Sequence, residues 1–251
     1  MISLTTSERR RAVFTARARE ADIPWSFFDA VSTLAPGLVH DETAVLKATG
    51  RPLQRGEIGC YSSHFTLWQH LESDDAKQYI ILEDDVIVEW NLLNIIAQHD
   101  FSASGHHYIR LFQKRQTPFV LRRNRFIIPN GSLSQLLDHP YGTQGYVITR
   151  EGAARMRKAC ERVVRPIDNQ MDRYWEHGIP NLAFFPFPIM EEFVPSTIGN
   201  ERFTTHLTTV KGQKMANMVD TLKRRSANLS IYLSHAVRRG LKLINRNWCG
   251  S

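Results

Sequence analysis

The sequence predicts an α/β protein, one mainly parallel sheet flanked by helices, followed by a basic amphipathic helical tail from residue 211. Three observations carry this. Short apolar runs alternate with longer segments of helical period over the first 200 residues, the pattern of strands and crossover helices. The most apolar run, Ile80-Ile81-Leu82, is apolar at every position, as a strand buried on both faces must be. The net charge of +7 is uneven: residues from Lys211 onward carry nine basic side chains and one acid, Asp220, while residues 1–210 hold 23 basic and 24 acidic.

Composition narrows the class. A chain of 251 residues with 42% hydrophobic and 10% aromatic content can bury a large core without staples. Collagen-like repeats, wholesale disorder and a disulfide mini-protein are excluded. Cys60, Cys160 and Cys249 are odd in number and widely spaced with no C-x-x-C, which argues against a disulfide framework or a cysteine zinc site and for a reducing compartment. No apolar run approaches the roughly 18 residues of a membrane span. Met1–Thr5 runs straight into Ser7-Glu8-Arg9-Arg10-Arg11 without the apolar region of a signal peptide, so the chain is expected to fold from its first residue and stay in the cytoplasm.

The elements follow in order. Met1–Leu4 reads as a strand, Ser7–Ala21 as a helix with Ser7 at its N-cap, and Trp25–Val31 as a second strand. Ile58, Tyr61, Phe65, Trp68 and Leu71 recur at three- and four-residue spacing and predict a helix over 57–72. Tyr79–Leu82 is a strand, Asn91–Ala97 a short helix and Tyr108–Phe112 a strand. Gln113–His139 is irregular and reads as an excursion from the sheet, with a hairpin, near the substrate. Tyr141–Thr149 is a strand, and Glu151–Arg162 and Asp168–Glu176 are helices.

Glu83-Asp84-Asp85 is the most informative stretch. In an extended chain Glu83 and Asp85 share one side and Asp84 takes the other. Three like charges at a strand end repel unless a cation lies between them, and a hard divalent ion such as Mg²⁺ or Mn²⁺ suits oxygen ligands and brings a phosphorylated substrate. A solvated turn after a strand is the plain alternative. Ligands in α/β sheets bind at strand carboxyl ends, which favours the site.

Several segments together resemble glycosyltransferase family 25, which includes bacterial lipooligosaccharide galactosyltransferases. They are Ile2-Ser3-Leu4 with Glu8-Arg9-Arg10, Phe28-Asp29-Ala30-Val31, Gly56-Glu57-Ile58-Gly59-Cys60-Tyr61-Ser62-Ser63-His64 and Leu82-Glu83-Asp84-Asp85-Val86. Gly142-Thr143-Gln144-Gly145-Tyr146-Val147-Ile148, Gly152-Ala153 and Pro166-Ile167-Asp168 complete the set. The resemblance, over residues 1 to about 200, implies a GT-A type, Rossmann-like fold and a nucleotide-sugar donor, with UDP-galactose foremost. It implies Mn²⁺ or Mg²⁺ at Glu83-Asp84-Asp85, with Asp85 as direct ligand and Glu83 facing the metal shell or the donor ribose. It further implies inversion at the anomeric carbon, giving a β-linkage to a growing saccharide.

Other residues take candidate roles beside these. Ser3, Leu4 and Thr5 lie on the loop that begins the nucleotide pocket, and Arg9 or Arg10 can reach a phosphate. Asp29 is a candidate acceptor for a base or ribose donor. Gly56 and Gly59 permit close backbone approach at a helix N-terminus, with Glu57 in the first turn and His64 two turns on along the same face. Each also has an ordinary structural reading as solvated helix face, cap or buried histidine. Inverting transfer needs a general base, and Asp168 takes that role by its place in the family pattern, with Asp172 in reserve. His206 is a candidate late metal ligand. Tyr141, Tyr146, Tyr174 and Trp175 are candidate sugar platforms.

In the tail, Met215, Met218, Val219, Leu222, Leu229, Leu233, Ala236, Val237 and Ile244 form one stripe, with Arg224, Arg238, Arg239, Lys242 and Arg246 opposite and Gly240 as a candidate break. The pattern suits attachment to an anionic membrane surface, where a lipid-linked saccharide acceptor is held; a helix packed on the catalytic part, basic side outward, is the other reading. No nucleic-acid motif appears, and no nucleic-acid partner is expected. The expected organisation is a catalytic domain over 1–210 and the tail over 211–251. A nucleotidyltransferase, which would release pyrophosphate, and a non-catalytic nucleotide-sugar-binding module are the competing functions.

Overall fold

Ile81 and Leu82 fall in two separate core clusters, one on each side of the sheet. The computed structural model describes residues 1–192 and 213–248, with side chains through Val237. In chain order the elements are β1 (Ile2–Ser3), α1 (Glu8–Arg17), β2 (Phe28–Asp29), β3 (Val39–His40), α2 (Glu42–Thr49), α3 (Arg55–Ser73), β4 (Gln78–Leu82), β5 (Val86–Val88), α4 (Trp90–Ala97) and β6 (Tyr108–Arg110). They continue with β7 (Phe119–Asn124), β8 (Ser132–Leu136), β9 (Gly145–Thr149), α5 (Arg150–Ala159), β10 (Arg162–Val163), α6 (Ile167–Met171), α7 (Tyr174–His177), β11 (Leu182–Phe185), β12 (Ile189–Glu191) and α8 (Gln213–Trp248).

The central sheet has the order β4-β9-β6-β11-β8-β7. Beyond β4, a parallel bridge from Ile2 to Glu83 connects to β1, which pairs in parallel with β2. Six of these eight strands share one sense, as the sequence predicts for a mainly parallel sheet. The two reversed strands, β9 and β8, stand between others, so four of the five ladders in the six-stranded part are antiparallel. The sheet is therefore mixed.

Strand alternation sorts the core. Ile81, Tyr108, Tyr146 and Ile148 face α3 and α5, meeting Tyr61, Phe65, Trp68 and Met156. Leu82, Ile109 and Val147 face α1 and α4, meeting Phe14, Trp90, Leu93 and Ile96. Helices on both faces leave the strand carboxyl ends open, and the acidic cluster lies there.

Four expectations need correction. Residues 113–139 are not an excursion: β7 and β8 form a hairpin inside the sheet, at the edge opposite β4, roughly 24 Å across at strand spacing. The two ends of that segment lie towards the sites described below: Lys114, which pairs with Glu191 and acts on Glu83, and His139. The helix expected over 168–176 is two short ones, because Asp172 turns inward to pair with Arg110. Ser7 takes the N-cap position of α1 but makes no side-chain cap bond. Gly240 does not interrupt α8.

In α8 the docked side chains are polar. Asp220 meets Arg173 and the Trp175 indole N–H, Arg224 pairs with Asp138, and Asn228 meets Tyr174 and the Leu137 carbonyl. The apolar stripe faces away: Met215, Leu222, Leu229, Leu233 and Val237 are each more than half exposed. The helix thus packs on the rest of the chain, but with Arg224 turned inward rather than outward and the apolar stripe left exposed.

Candidate active site

A cleft of about 320 Å³ opens where β1, the segment after β2, the start of α3 and the end of β4 converge. Its walls include Ser3, Leu4, Arg10, His64, Glu83, Asp84 and Asp85, all singled out from the sequence, together with Arg55, Gly56, Gly59 and Cys60. The first turn of α3 therefore borders the cleft, and the positive end of a helix is a setting that favours phosphate. Gly59 makes this possible: a Cβ there would lie 2.6 Å from the Val31 carbonyl oxygen, so only glycine lets α3 lie against the segment after β2.

The three carboxylates are separated by their partners. Asp84 accepts from the Ser3 hydroxyl at 2.6 Å and from Arg10 at 2.9 Å, which ties β1 and α1 to the end of β4. Glu83 faces His64, whose Nε2 lies 3.3 Å away, and accepts from the Thr143 hydroxyl. Burial raises the Glu83 carboxyl, but the hydrogen bonds from His64 and Thr143 outweigh it and leave it below the ordinary range. Asp85 has only the charge of Arg10 in its favour. Burial first, and then the charge of Glu83, push its carboxyl up to about 7, and its buried Oδ1 has no hydrogen-bond partner.

The orphaned Asp85 oxygen, beside a second carboxylate, is what a hard cation would satisfy, so the donor set of Asp85 and Glu83 fits Mn²⁺ or Mg²⁺. Among the described residues, Cys60, His64 and Glu83 also bring three ligand atoms within 4.8 Å of one another. Their closeness is accounted for by hydrogen bonding. Both His64 nitrogens are engaged, and burial holds the Cys60 thiol well above its usual value and so protonated.

Residues 1–171 match the sequence profile of glycosyltransferase family 25, described as an LPS biosynthesis protein family. The chain belongs to glycosyltransferase family 25. It is 26% identical over 168 residues to the lipooligosaccharide biosynthesis protein lic2B of Haemophilus influenzae, covering 62% of this chain and 60% of that protein. It is 25% identical over 205 residues to the lacto-N-neotetraose biosynthesis glycosyltransferase LgtE of Neisseria meningitidis, covering 72% and 69%. It is 30% identical over 112 residues to human procollagen galactosyltransferase 2, covering 43% of this chain and 17% of that protein. The chain thus spans 60% of the first of these relatives and 17% of the last, less than two thirds of either.

Other candidates in this family 25 glycosyltransferase lie outside the cleft wall. Glu57 is buried, closes a capping box at the start of α3 and pairs with Arg51 at 2.6 Å, so its carboxylate is spent on structure. Asp29 is two thirds exposed and pairs with Arg11 at 2.5 Å. Thr5 and Arg9 are exposed, and Arg9 lines a neighbouring groove with Arg17 and Glu192. Tyr146 and Tyr174 are buried and do not present their rings as platforms. His206 lies outside the described residues.

The two candidate bases separate clearly. Asp168 is half-buried, accepts from the Gly142 N–H at 3.3 Å, and its charge, like those of Glu83 and Asp85, acts on Cys60 at the cleft wall. Asp172 is fully buried, paired with Arg110, and accepts from the Tyr141 N–H at 3.0 Å. Burial pushes the Asp172 carboxyl up to about 7, against the pull of Arg110. Burial likewise lowers Arg110, but Asp172 more than reverses that and leaves the guanidinium above its ordinary value. The partners point opposite ways, and the donors converging on the carboxylate favour an ionised pair. A reserve base at Asp172 is not supported, because no acceptor hydroxyl reaches it there.

Sequence reasoning missed the supporting residues. Arg110 donates to the Tyr141 and Gly142 carbonyls, at 3.1 and 2.7 Å, and fixes the turn that carries Thr143 to Glu83. Gly142 sits at φ +79°, where a side chain is strained. Arg55 borders the cleft at the first residue of α3; a cation next to the Gly56-Glu57-Ile58-Gly59 stretch was the available signal.

Proposed function

We propose that this chain moves galactose, or another hexose, from a UDP-sugar to a saccharide acceptor of lipooligosaccharide or lipopolysaccharide, with inversion and a β-linkage, on a GT-A type fold. The observation that carries the reading is the cleft at the end of β4, where Glu83 and Asp85 meet Arg10, Arg55 and the start of α3. Family membership and the names of the relatives support hexosyl transfer.

Asp85 and Glu83 would hold Mn²⁺ or Mg²⁺, which supplies positive charge to the leaving diphosphate. Arg10 and Arg55, with the α3 N–H groups, orient the phosphates by charge and hydrogen bonds. Ser3 and Leu4 border the nucleoside end. Asp168 takes the proton from the acceptor hydroxyl as that oxygen bonds to the anomeric carbon and the carbon–phosphate oxygen bond breaks, releasing UDP.

Residues 1–210 would form the catalytic domain, and α8 would hold the enzyme at the inner face of the cytoplasmic membrane, close to a lipid-linked acceptor. Its exposed Met215, Leu222, Leu229, Leu233 and Val237, with the basic residues of the same segment, support this. No described helix is long and apolar enough to cross a membrane.

A screen of nucleotide-sugars for donor-dependent UDP release, with and without Mn²⁺, tests the reading. UDP-galactose with Mn²⁺ is expected to give the highest rate, and release of pyrophosphate would indicate nucleotidyl transfer instead. Flotation of the full chain with anionic vesicles tests the tail; failure to float removes the membrane role.

A further inference from the structure

A second cavity, of about 510 Å³, lies between α2, the start of α6, α7 and the docked face of α8. This is the size range of small-molecule sites. Its wall carries Lys47, Arg165, Arg173 and Lys223 against two carboxylates, Glu176 and Asp220, a surplus of two positive charges. Arg173 occupies both acids, donating to Glu176 at 2.7 and 2.9 Å and to Asp220 at 3.1 Å. Arg165 reaches Glu176 only at 3.5 Å. Among the described residues Lys47 and Lys223 make no ion pair within 4.0 Å, and the charge of Lys47 acts on Asp41 outside the cavity wall.

Two further features mark the cavity as more than a gap under a helix. His139 is 8% exposed in its wall, and its Nδ1 makes no hydrogen bond, the Asp172 carboxylate being 3.9 Å away. Burial, with the charge of Arg173, holds this ring down to about 4, so it is neutral and has an N–H to offer. Asn169 also lines the cavity, next in sequence to Asp168, whose charge acts on Cys60 at the donor cleft. Asp168 in turn accepts from the Gly142 N–H at 3.3 Å, and Thr143, the next residue, donates to Glu83, so a short hydrogen-bonded path joins the two cavities.

We propose that this second cavity is the acceptor-side subsite and takes a phosphate-bearing sugar, whose charge is met by Lys47, Arg165 and Lys223. The proposal rests on the transferase reading of the donor cleft. A phosphate monoester carries a charge of about −1.5 to −2 at neutral pH and matches the surplus of two. A neutral sugar would make no use of that charge, whereas a phosphate can take charge-assisted hydrogen bonds from all three side chains. Because Lys223 belongs to α8, the tail helix completes the subsite.

Titration calorimetry on the full chain tests this, first with UDP and Mn²⁺ and then, with both saturating, with glucose 6-phosphate, glucose and inorganic phosphate. Glucose 6-phosphate is expected to bind at least tenfold more tightly than glucose. The variant Lys47→Ala/Lys223→Ala, both exposed positions, is expected to lose that preference while keeping its UDP affinity. Equal binding of glucose and glucose 6-phosphate, or a preference unchanged in the double variant, overturns the proposal. So does inorganic phosphate binding as tightly as glucose 6-phosphate, which would make the cavity a bare phosphate or lipid-headgroup site. Loss of UDP binding in the first titration counts against the donor cleft and leaves the sugar-phosphate comparison standing.

Discussion

His64 Nε2 lies 3.3 Å from Glu83 Oε1, while its Nδ1 lies 2.8 Å from the Tyr146 hydroxyl, so one buried ring links the sheet to the acidic cluster. Tyr146 in turn accepts from the Trp68 indole N–H at 3.0 Å. Every donor is satisfied when Tyr146 donates to Nδ1 and the Nε2–H donates to Glu83. Glu83 is thus aimed by a chain of buried groups on α3 and β9.

Tyr146→Phe cuts that chain and leaves the Trp68 N–H and the His64 Nδ1 unpaired. Stability should fall by about 1–3 kcal/mol, the cost of stranding buried polar groups. Turnover should fall more than donor affinity, because the ring that aims Glu83 is released. Chemical denaturation and steady-state kinetics read the two effects separately, and an unchanged kcat would show that Tyr146 serves packing alone.

Asp85→Ala should abolish Mn²⁺-dependent UDP release. The thermal midpoint should hold steady or rise, since a buried carboxylate repelled by Glu83 has been removed. Retained metal-dependent turnover would take the cation away from Asp85.

Asp168→Asn and Asp172→Asn should diverge. The first should lose transfer while keeping UDP binding and its melting temperature, as fits a half-buried general base. The second strands Arg110 in the core and should cost about 3–5 kcal/mol of stability. Transfer retained in Asp168→Asn would move the base elsewhere.

Acid should destabilise the protein through His177. Its Nε2 faces the Met171 carbonyl at 3.1 Å and its Nδ1 accepts from the Ile179 N–H at 3.1 Å, so the fold binds the neutral ring. Burial lowers its pKa from 6.5 to about 4. The unfolded chain therefore binds the extra proton between those values, and this contribution, ~3 kcal/mol, is complete above pH 6.5 and lost as pH falls towards 4. Comparing denaturation from pH 4 to 7 in the parent and in His177→Asn isolates the histidine: the variant should show a shallower fall on acidification, and an identical fall would exclude this origin.

The sequence by itself determined the layered α/β architecture and the acidic cluster. Ile80-Ile81-Leu82 and the spacing of Tyr61, Phe65, Trp68 and Leu71 record burial directly, because side-chain period follows backbone geometry. Of the candidates around the nucleotide pocket, Ser3, Leu4, Arg10, His64, Glu83, Asp84 and Asp85 line one cleft, and Thr5, Arg9, Asp29 and Glu57 do not. What only the tertiary structure decided depends on partners distant in sequence. Periodicity does not tell an inserted reversed strand from a parallel one, so the reversed sense of β9 stayed hidden, and β8 fell within the segment read as an excursion. Nothing local separates Asp168 from Asp172; Arg110, 62 residues away from Asp172, takes one into the core and leaves the other near the cleft. The helical period of α8 was visible, but its inward face was set by Asp138, Arg173 and Tyr174, charges and hydrogen-bond partners that the tail's own residues do not encode.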